Sequence, residues 1–275
     1  MIPAGATIGA LQAALPLDPL ENRILLCHAL GLSRVALITQ SDRTLTAEEA
    51  AHLAALVERR QSGEPIAYIV GAREFFGLRF EVNDSVLIPR PDTELLVELA
   101  LERLPAQGRL LDMGTGSGAI AVSVAHTRAD AAVTALDFSG AALDVARANA
   151  NAHRATVRFL RSDWFASLGD ERFHVIASNP PYIAAGDEHL ARGDLRFEPN
   201  MALTDHADGL SALRVIIGGA PAHLEPDGWL LLEHGYDQAA QVRELLSARG
   251  YAGVQSWRDL AGIERVSGGR LARLN

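Results

Sequence analysis

Asn179-Pro180-Pro181-Tyr182 follows Ser178 and the short apolar run 173–177, which reads as a buried strand ending at a turn. The two prolines fix two φ angles and push the residue before each of them out of the helical region. Asn179 is thereby held extended and Tyr182 is carried over a rigid corner. Neither proline has an N–H to give to a sheet ladder, so the carbonyls of Asn179 and Pro180 are free for another partner. The Asn179 side-chain carbonyl and the Pro180 backbone carbonyl could together hold both hydrogens of a planar –NH2 group, with the Tyr182 ring stacked on its face. An amide or exocyclic amine is a poor nucleophile because its lone pair is delocalised. Gripping both N–H bonds in a dry site aims that lone pair at an electrophile without a strong base. The plainer alternative is a Pro-Pro turn, Pro181 included, that merely ends a strand.

A second stretch, Asp112-Met113-Gly114-Thr115-Gly116-Ser117-Gly118, lies where a strand turns into a helix. Glycines there let the backbone bend sharply and let a ligand approach the chain. Gly-x-Gly-x-Gly alone could serve a dinucleotide, a mononucleotide or nothing. The later glycine of the dinucleotide fingerprint is missing, with Ile120 and Ala121 in its region. Asp137 ends the next strand about 20 residues on, where a carboxylate can take two ribose hydroxyls. The combination fits a nucleoside without pyrophosphate. Ser162-Asp163-Trp164-Phe165 follows a third strand and offers Asp163 to a base amine, with Trp164 or Phe165 as a ring wall.

These residues need a frame that brings distant strand ends together. From residue 109 onward, strand patterns at 110–113, 132–137, 157–160, 173–178 and 229–233 alternate with helical ones, and strands near 253–257 and 264–267 close the sheet. That alternation predicts an α/β fold with a doubly wound, seven-stranded, mainly parallel sheet, whose ligands collect at the carboxyl ends of the strands. Residues 1–72 read instead as a small helical bundle. Asp18-Pro19-Leu20-Glu21 and Thr46-Ala47-Glu48-Glu49 are helix starts, and Gly31 and Gly63 are stops. Residues 73–90 read as a β-hairpin connector turning near Gly77. Pro89-Arg90-Pro91 is a rigid approach to the next helix and carries Arg90 and Thr93 toward whatever that helix start faces. Residues 91–275 form the larger domain.

Composition narrows the partners. A net charge of −9 disfavours a duplex, because phosphate neutralisation supplies most nucleic-acid affinity. All 25 basic residues are arginine, a compositional bias without functional content. The nine histidines show no metal-ligand spacing, so no metal is expected, and the single Cys27 reads as a small core residue. No apolar run approaches the roughly 20 residues of a membrane span, and the N-terminus lacks a secretory pattern. A cytoplasmic protein acting on a protein or small molecule is the expectation.

Taken together, Asp112 to Gly118 and Asn179-Pro180-Pro181-Tyr182 resemble the class I S-adenosylmethionine methyltransferases that modify planar nitrogen, with a Rossmann-like fold. Adding Pro89-Arg90-Pro91-Asp92-Thr93-Glu94, Ser162-Asp163-Trp164-Phe165, Gly193-Asp194-Leu195-Arg196-Phe197-Glu198-Pro199, Glu233-His234-Gly235 and Asp259-Leu260-Ala261-Gly262-Ile263-Glu264-Arg265, nearly the whole chain resembles the peptide chain release factor glutamine methyltransferases (the PrmC/HemK family). Met113 stands where that family usually has Leu, a volume-conserving change. The resemblance implies that Gly114, Thr115, Gly116, Ser117, Gly118 and Asp137 hold S-adenosyl-L-methionine, with Trp164 near its adenine. It implies that Asn179, between cofactor and substrate, acts with Pro180, Pro181 and Tyr182 to cradle the glutamine amide of a release factor's Gly-Gly-Gln motif. It further implies that residues 1–72 dock the release factor, and that a monomer works without direct nucleic-acid binding. The same motif serves amino-methyltransferases of adenine or cytosine and a relative that methylates a ribosomal-protein glutamine. A non-catalytic cofactor-binding or docking module is the third alternative.

Overall fold

The computed structural model describes residues 2–272, in two compact units, Met1–Ala72 and Arg73–Asn275. The first unit is helical: α1 (Ile8–Ala14), α2 (Pro19–Leu30), α3 (Arg34–Thr39), α4 (Ala47–Gln61) and α5 (Ile66–Val70). Local chemistry sets most of these boundaries. Asp18 Oδ1 accepts from the Leu20 amide at 2.8 Å, Ser33 caps α3, and Thr46 and Glu49 form a reciprocal capping box. Each such cap contributes about 0.5–2 kcal/mol. Gly31 at φ 63° stops α2. The core is aliphatic, built on Ile8, Leu25, Leu26, Leu37 and Leu53. Cys27 is half-buried and packs against that core. One buried amide ties the bundle together: Asn22 Nδ2 donates to the carbonyls of Leu15 at 3.1 Å and Leu17 at 3.3 Å, fixing the turn between α1 and α2.

The second unit opens with the hairpin of β1 (Ala72–Phe75) and β2 (Leu78–Glu81). Its two turn residues, Phe76 and Gly77, both have positive φ, as a tight twisted hairpin requires. Phe76 is held there by its amide, which donates to Glu94 Oε1 at 2.9 Å. There follow α6 (Glu94–Arg103), β3 (Arg109–Met113), α7 (Ala119–Thr127), β4 (Ala132–Asp137), α8 (Gly140–Ala152), β5 (Val157–Arg161) and β6 (Phe173–Ser178). The chain ends with α9 (Asn200–Leu203), α10 (Ser211–His223), β7 (Leu224–Glu233), α11 (Ala239–Ala248), β8 (Tyr251–Arg258) and β9 (Glu264–Leu271).

The sheet order is β5-β4-β3-β6-β7-β9-β8, with only β9 running against the rest. Strand side chains alternate between two cores: Leu110, Val175 and Leu231 join α6 and α7 on one face, while Leu111, Ile176, Leu230 and Leu232 join α10 and α11 on the other. Both faces are covered, which is why these strands read as nearly continuous apolar runs. The winding reverses between β3 and β6, and that crevice is where doubly wound sheets bind ligands. Register decides what meets there. Leu136, Met113, Ser178 and Leu232 pair in one row across β4, β3, β6 and β7. The next residues, Asp137, Gly114, Asn179 and Glu233, therefore stand side by side at the carboxyl edge.

Candidate active site

The glycine loop is folded by its own backbone. The amides of Gly114 and Thr115 both bond the Leu136 carbonyl at 2.9 Å, and Gly114, Gly116 and Gly118 take φ values of 70°, 55° and 83°. At Gly114 and Gly116 an added Cβ would meet nothing within 4 Å, so open space faces both. Gly118 differs: a Cβ there would come within 3.1 Å of Ala146, so its bare backbone is needed for close packing against α8. Thr115 and Ser117 also turn inward. The Thr115 hydroxyl donates to Asp112 Oδ2 at 2.6 Å, and the Ser117 carbonyl accepts from Asn149 Nδ2 at 2.9 Å.

Above the loop lies a cavity of about 250 Å³, and beside it a smaller chamber of about 60 Å³. Gly114, Gly116, Asp137, Asp163, Trp164, Asn179 and Pro181 line the larger one. Asn179, Pro180 and Tyr182 line the smaller one with Arg90. Asn179 faces both, as do Leu87 and Ala202. Thr115, Ser117, Gly118 and Phe165 line neither; Phe165 stacks on His223 with centroids 4.9 Å apart.

Asp137 is held by the Gly116 amide on Oδ2 and the Ser139 amide on Oδ1, each at 2.9 Å. Burial pushes its carboxyl above the usual range, against the pull of those amides. Trp164 sits at φ 45°, a strained conformation for a bulky residue, and Ser162 fixes the turn by donating to the Trp164 carbonyl at 2.7 Å. Phe138 is 55% exposed and adds a second aromatic wall. A glycine floor without side chains, a carboxylate at one edge and aromatic walls suit a nucleoside.

Ser178 Oγ donates to the Met113 carbonyl at 2.7 Å and so fastens the proline corner to the end of β3. The Asn179 amide is oriented: Nδ2 donates to Thr93 Oγ1 at 3.2 Å. Its Oδ1 is left as the acceptor. Tyr182 donates to Glu233 Oε1 across 3.5 Å, and burial raises the phenol's pKa, with the Glu233 charge adding to it. Gln238 Nε2 pins the Tyr182 carbonyl at 3.0 Å. On the far wall, buried Glu198 accepts from the Ile88 amide at 3.0 Å and pairs with Arg90, clamping the segment that carries Pro199 to the segment that carries Leu87. Burial lifts the Glu198 carboxyl despite that guanidinium.

Among curated proteins, the chain is 59% identical over 278 residues, covering 98% of each partner, to a release factor glutamine methyltransferase of Burkholderia pseudomallei (strain K96243). The chain belongs to the release factor glutamine methyltransferase family. A namesake from Neisseria gonorrhoeae (strain ATCC 700825 / FA 1090) is 51% identical, with 92% of this chain and 94% of that one covered. Residues 7–71 match the family described as the PrmC N-terminal domain, and residues 91–194 the methyltransferase small domain. A methyltransferase structure from Pyrococcus furiosus superposes with a TM-score of 0.56 at 21% identity, covering 78% of this chain and 98% of that one, a likeness of fold. Among the described residues no helix is long and apolar enough to cross a membrane, and no cluster of three or more His, Cys, Asp or Glu side chains could hold a metal.

Several cavity-lining residues are given no role by the sequence alone. Phe138 follows Asp137 directly and could have been read as a wall from that adjacency. Pro199, Met201 and Ala202 reach the cavity through a long excursion after the proline corner. That excursion returns when the Ile183 amide bonds the Leu203 carbonyl at 3.0 Å, a closure no local pattern announces.

Proposed function

We propose that this chain methylates the side-chain amide nitrogen of the glutamine in the Gly-Gly-Gln motif of class 1 release factors, drawing the methyl group from S-adenosyl-L-methionine. The observation that carries this reading is Asn179, the polar side chain common to a nucleoside-sized cavity and a small chamber, with its carbonyl unclaimed and its NH2 tied back to Thr93. The cofactor supplies an electrophilic methyl on a sulfonium, released as a thioether. Asp137 would take the ribose hydroxyls, Gly114 and Gly116 would pass close under the nucleoside, and Trp164 with Phe138 would wall the adenine.

In the small chamber the substrate amide lies between two acceptors. Asn179 Oδ1 and the Pro180 carbonyl hold its two hydrogens while the Tyr182 ring limits how the plane can tilt. These bonds strengthen as the nitrogen pyramidalises, so they favour the transition state over bound substrate. One C–N bond forms, one S–C bond breaks, and one N–H proton leaves to solvent, giving N(5)-methylglutamine. The helical domain, residues 1–72, docks the release factor, and an acidic monomer in the cytoplasm suits a protein substrate better than DNA or RNA. Radiolabelled methyl transfer to release factor, its Gln-to-Ala variant, a ribosomal protein and duplex DNA in parallel tests this. Label is expected on the release factor alone and lost in the variant. Label on DNA alone would overturn the assignment.

A further inference from the structure

The Asn179 amide works only one way round, because an inverted side chain would point N–H groups at the substrate's own N–H groups. We propose that Thr93 and Glu233 are positioning residues that set this direction through a buried relay, Asn179 Nδ2 to Thr93 Oγ1 and the Thr93 hydroxyl on to the Glu233 carboxylate. The inference rests on the glutamine amide being the substrate. It deepens that reading by naming what polarises the grip.

The relay joins distant parts of the chain. Thr93 is 5% exposed at the start of α6, and it accepts from Asn179 at 3.2 Å across 86 residues of sequence. Having accepted there, its own proton must go elsewhere, and Glu233, 1% exposed at the end of β7, is the buried acid facing it, with one carboxylate oxygen still lacking a partner. An ionised carboxylate only accepts, so it forces Thr93 to donate toward it and to accept from Asn179. Glu233 also takes the long Tyr182 bond on Oε1, while Oε2 is enclosed with no well-aligned donor. A buried acid so thinly satisfied is costly and asks for a role.

Protonation would reverse the relay. A neutral Glu233 can donate to Thr93, which then donates to Asn179 and turns its NH2 toward the substrate. The groups facing Glu233 are Tyr182 beyond β6, Asp92 and Thr93 at the start of α6, and Arg265 on β9, which is itself paired with Asp92 and Asp259 at 3.4 Å each. His234, just past the end of β7, faces Ser267 Oγ at 2.7 Å instead. Burial outweighs these neighbours and lifts Glu233 to about 7.

The test is kinetic. Thr93→Val keeps the shape and loses the hydroxyl; Thr93→Ser keeps the hydroxyl and loses the methyl. With release factor as substrate, kcat is expected to fall about 10- to 100-fold in Thr93→Val, the scale of a misaimed catalytic group, and to return to within about threefold in Thr93→Ser. Cofactor affinity, read from quenching of tryptophan fluorescence, should stay near wild type in both and shows that they are folded. Wild-type kcat should drop as pH falls through about 7, and Glu233→Gln should lose that limb. A Thr93→Val enzyme with wild-type kcat, or a Thr93→Ser enzyme as impaired as Thr93→Val, would overturn the relay while leaving the methyltransferase reading intact. No transfer to release factor by the wild type would overturn that reading instead.

Discussion

At the scale of single residues, the proposed function requires the site to separate holding the cofactor from gripping the substrate, and two substitutions test it. Asn179→Ala is expected to lower kcat about 100- to 1000-fold, as for loss of one oriented transition-state partner, with cofactor affinity within about threefold of wild type. Steady-state kinetics beside calorimetric titration of the cofactor checks both halves; a collapse of cofactor binding with full activity in the bound fraction would refute the role. Asp137→Ala should do the reverse, weakening cofactor binding at least about tenfold through loss of charged hydrogen bonds. Asn179, the prolines and Tyr182 are legible in sequence because their geometry is local: the prolines dictate φ whatever the rest of the fold does. Glu233 is not legible in the same way. It meets Tyr182 only because the register of β6 against β7 sets their ends abreast, and that register belongs to the sheet.

At the scale of elements, the glycine loop divides its labour between ligand and scaffold, and the division is measurable. Gly118→Ala places a methyl 3.1 Å from Ala146 and 3.2 Å from Val122 at φ 83°. It should cost about 1–2 kcal/mol from the left-handed backbone alone, before crowding is added. Gly116→Ala carries a similar backbone penalty but points its methyl into open space at the cavity. Thermal melts should rank Gly118→Ala as the less stable apo protein, and cofactor titration should rank Gly116→Ala as the weaker binder relative to its stability. Equal melts would contradict the packing argument. The motif announces a tight turn but not which glycines face a ligand. Thr115 and Ser117, equally plausible as cofactor contacts in sequence, turn inward because Asp112 and Asn149 claim them. In the same way α1 is silent in sequence: Ile8–Ala14 is short, rich in Ala and Gly, and has no acidic first turn. The long strands and helices of the sheet, with strong periods, are read with ease. That β9 slots between β7 and β8 is a tertiary choice with no local signature.

At the scale of the whole molecule, two fully buried acids, Asp112 and Glu233, are each lifted to about 7 by burial. A carboxyl with a raised folded-state pKa binds more protons folded than unfolded, so each favours the folded state at low pH and loses that advantage as pH rises toward 7. Glu233→Gln should therefore stabilise the apo protein at pH 8, by up to about 3 kcal/mol, and leave it unchanged near pH 4.5. Paired melts at the two pH values measure this; equal effects at both would mean Glu233 is ionised comfortably where it lies. Such a site sacrifices stability for function, which is where functional residues are commonly found. The two chambers have one more consequence. Asn179, Leu87 and Ala202 face both of them, so an adenosine analogue bearing a short carboxamide arm would occupy both at once. Tethering the halves makes the second contact intramolecular, and such a compound should bind far more tightly than its separate pieces.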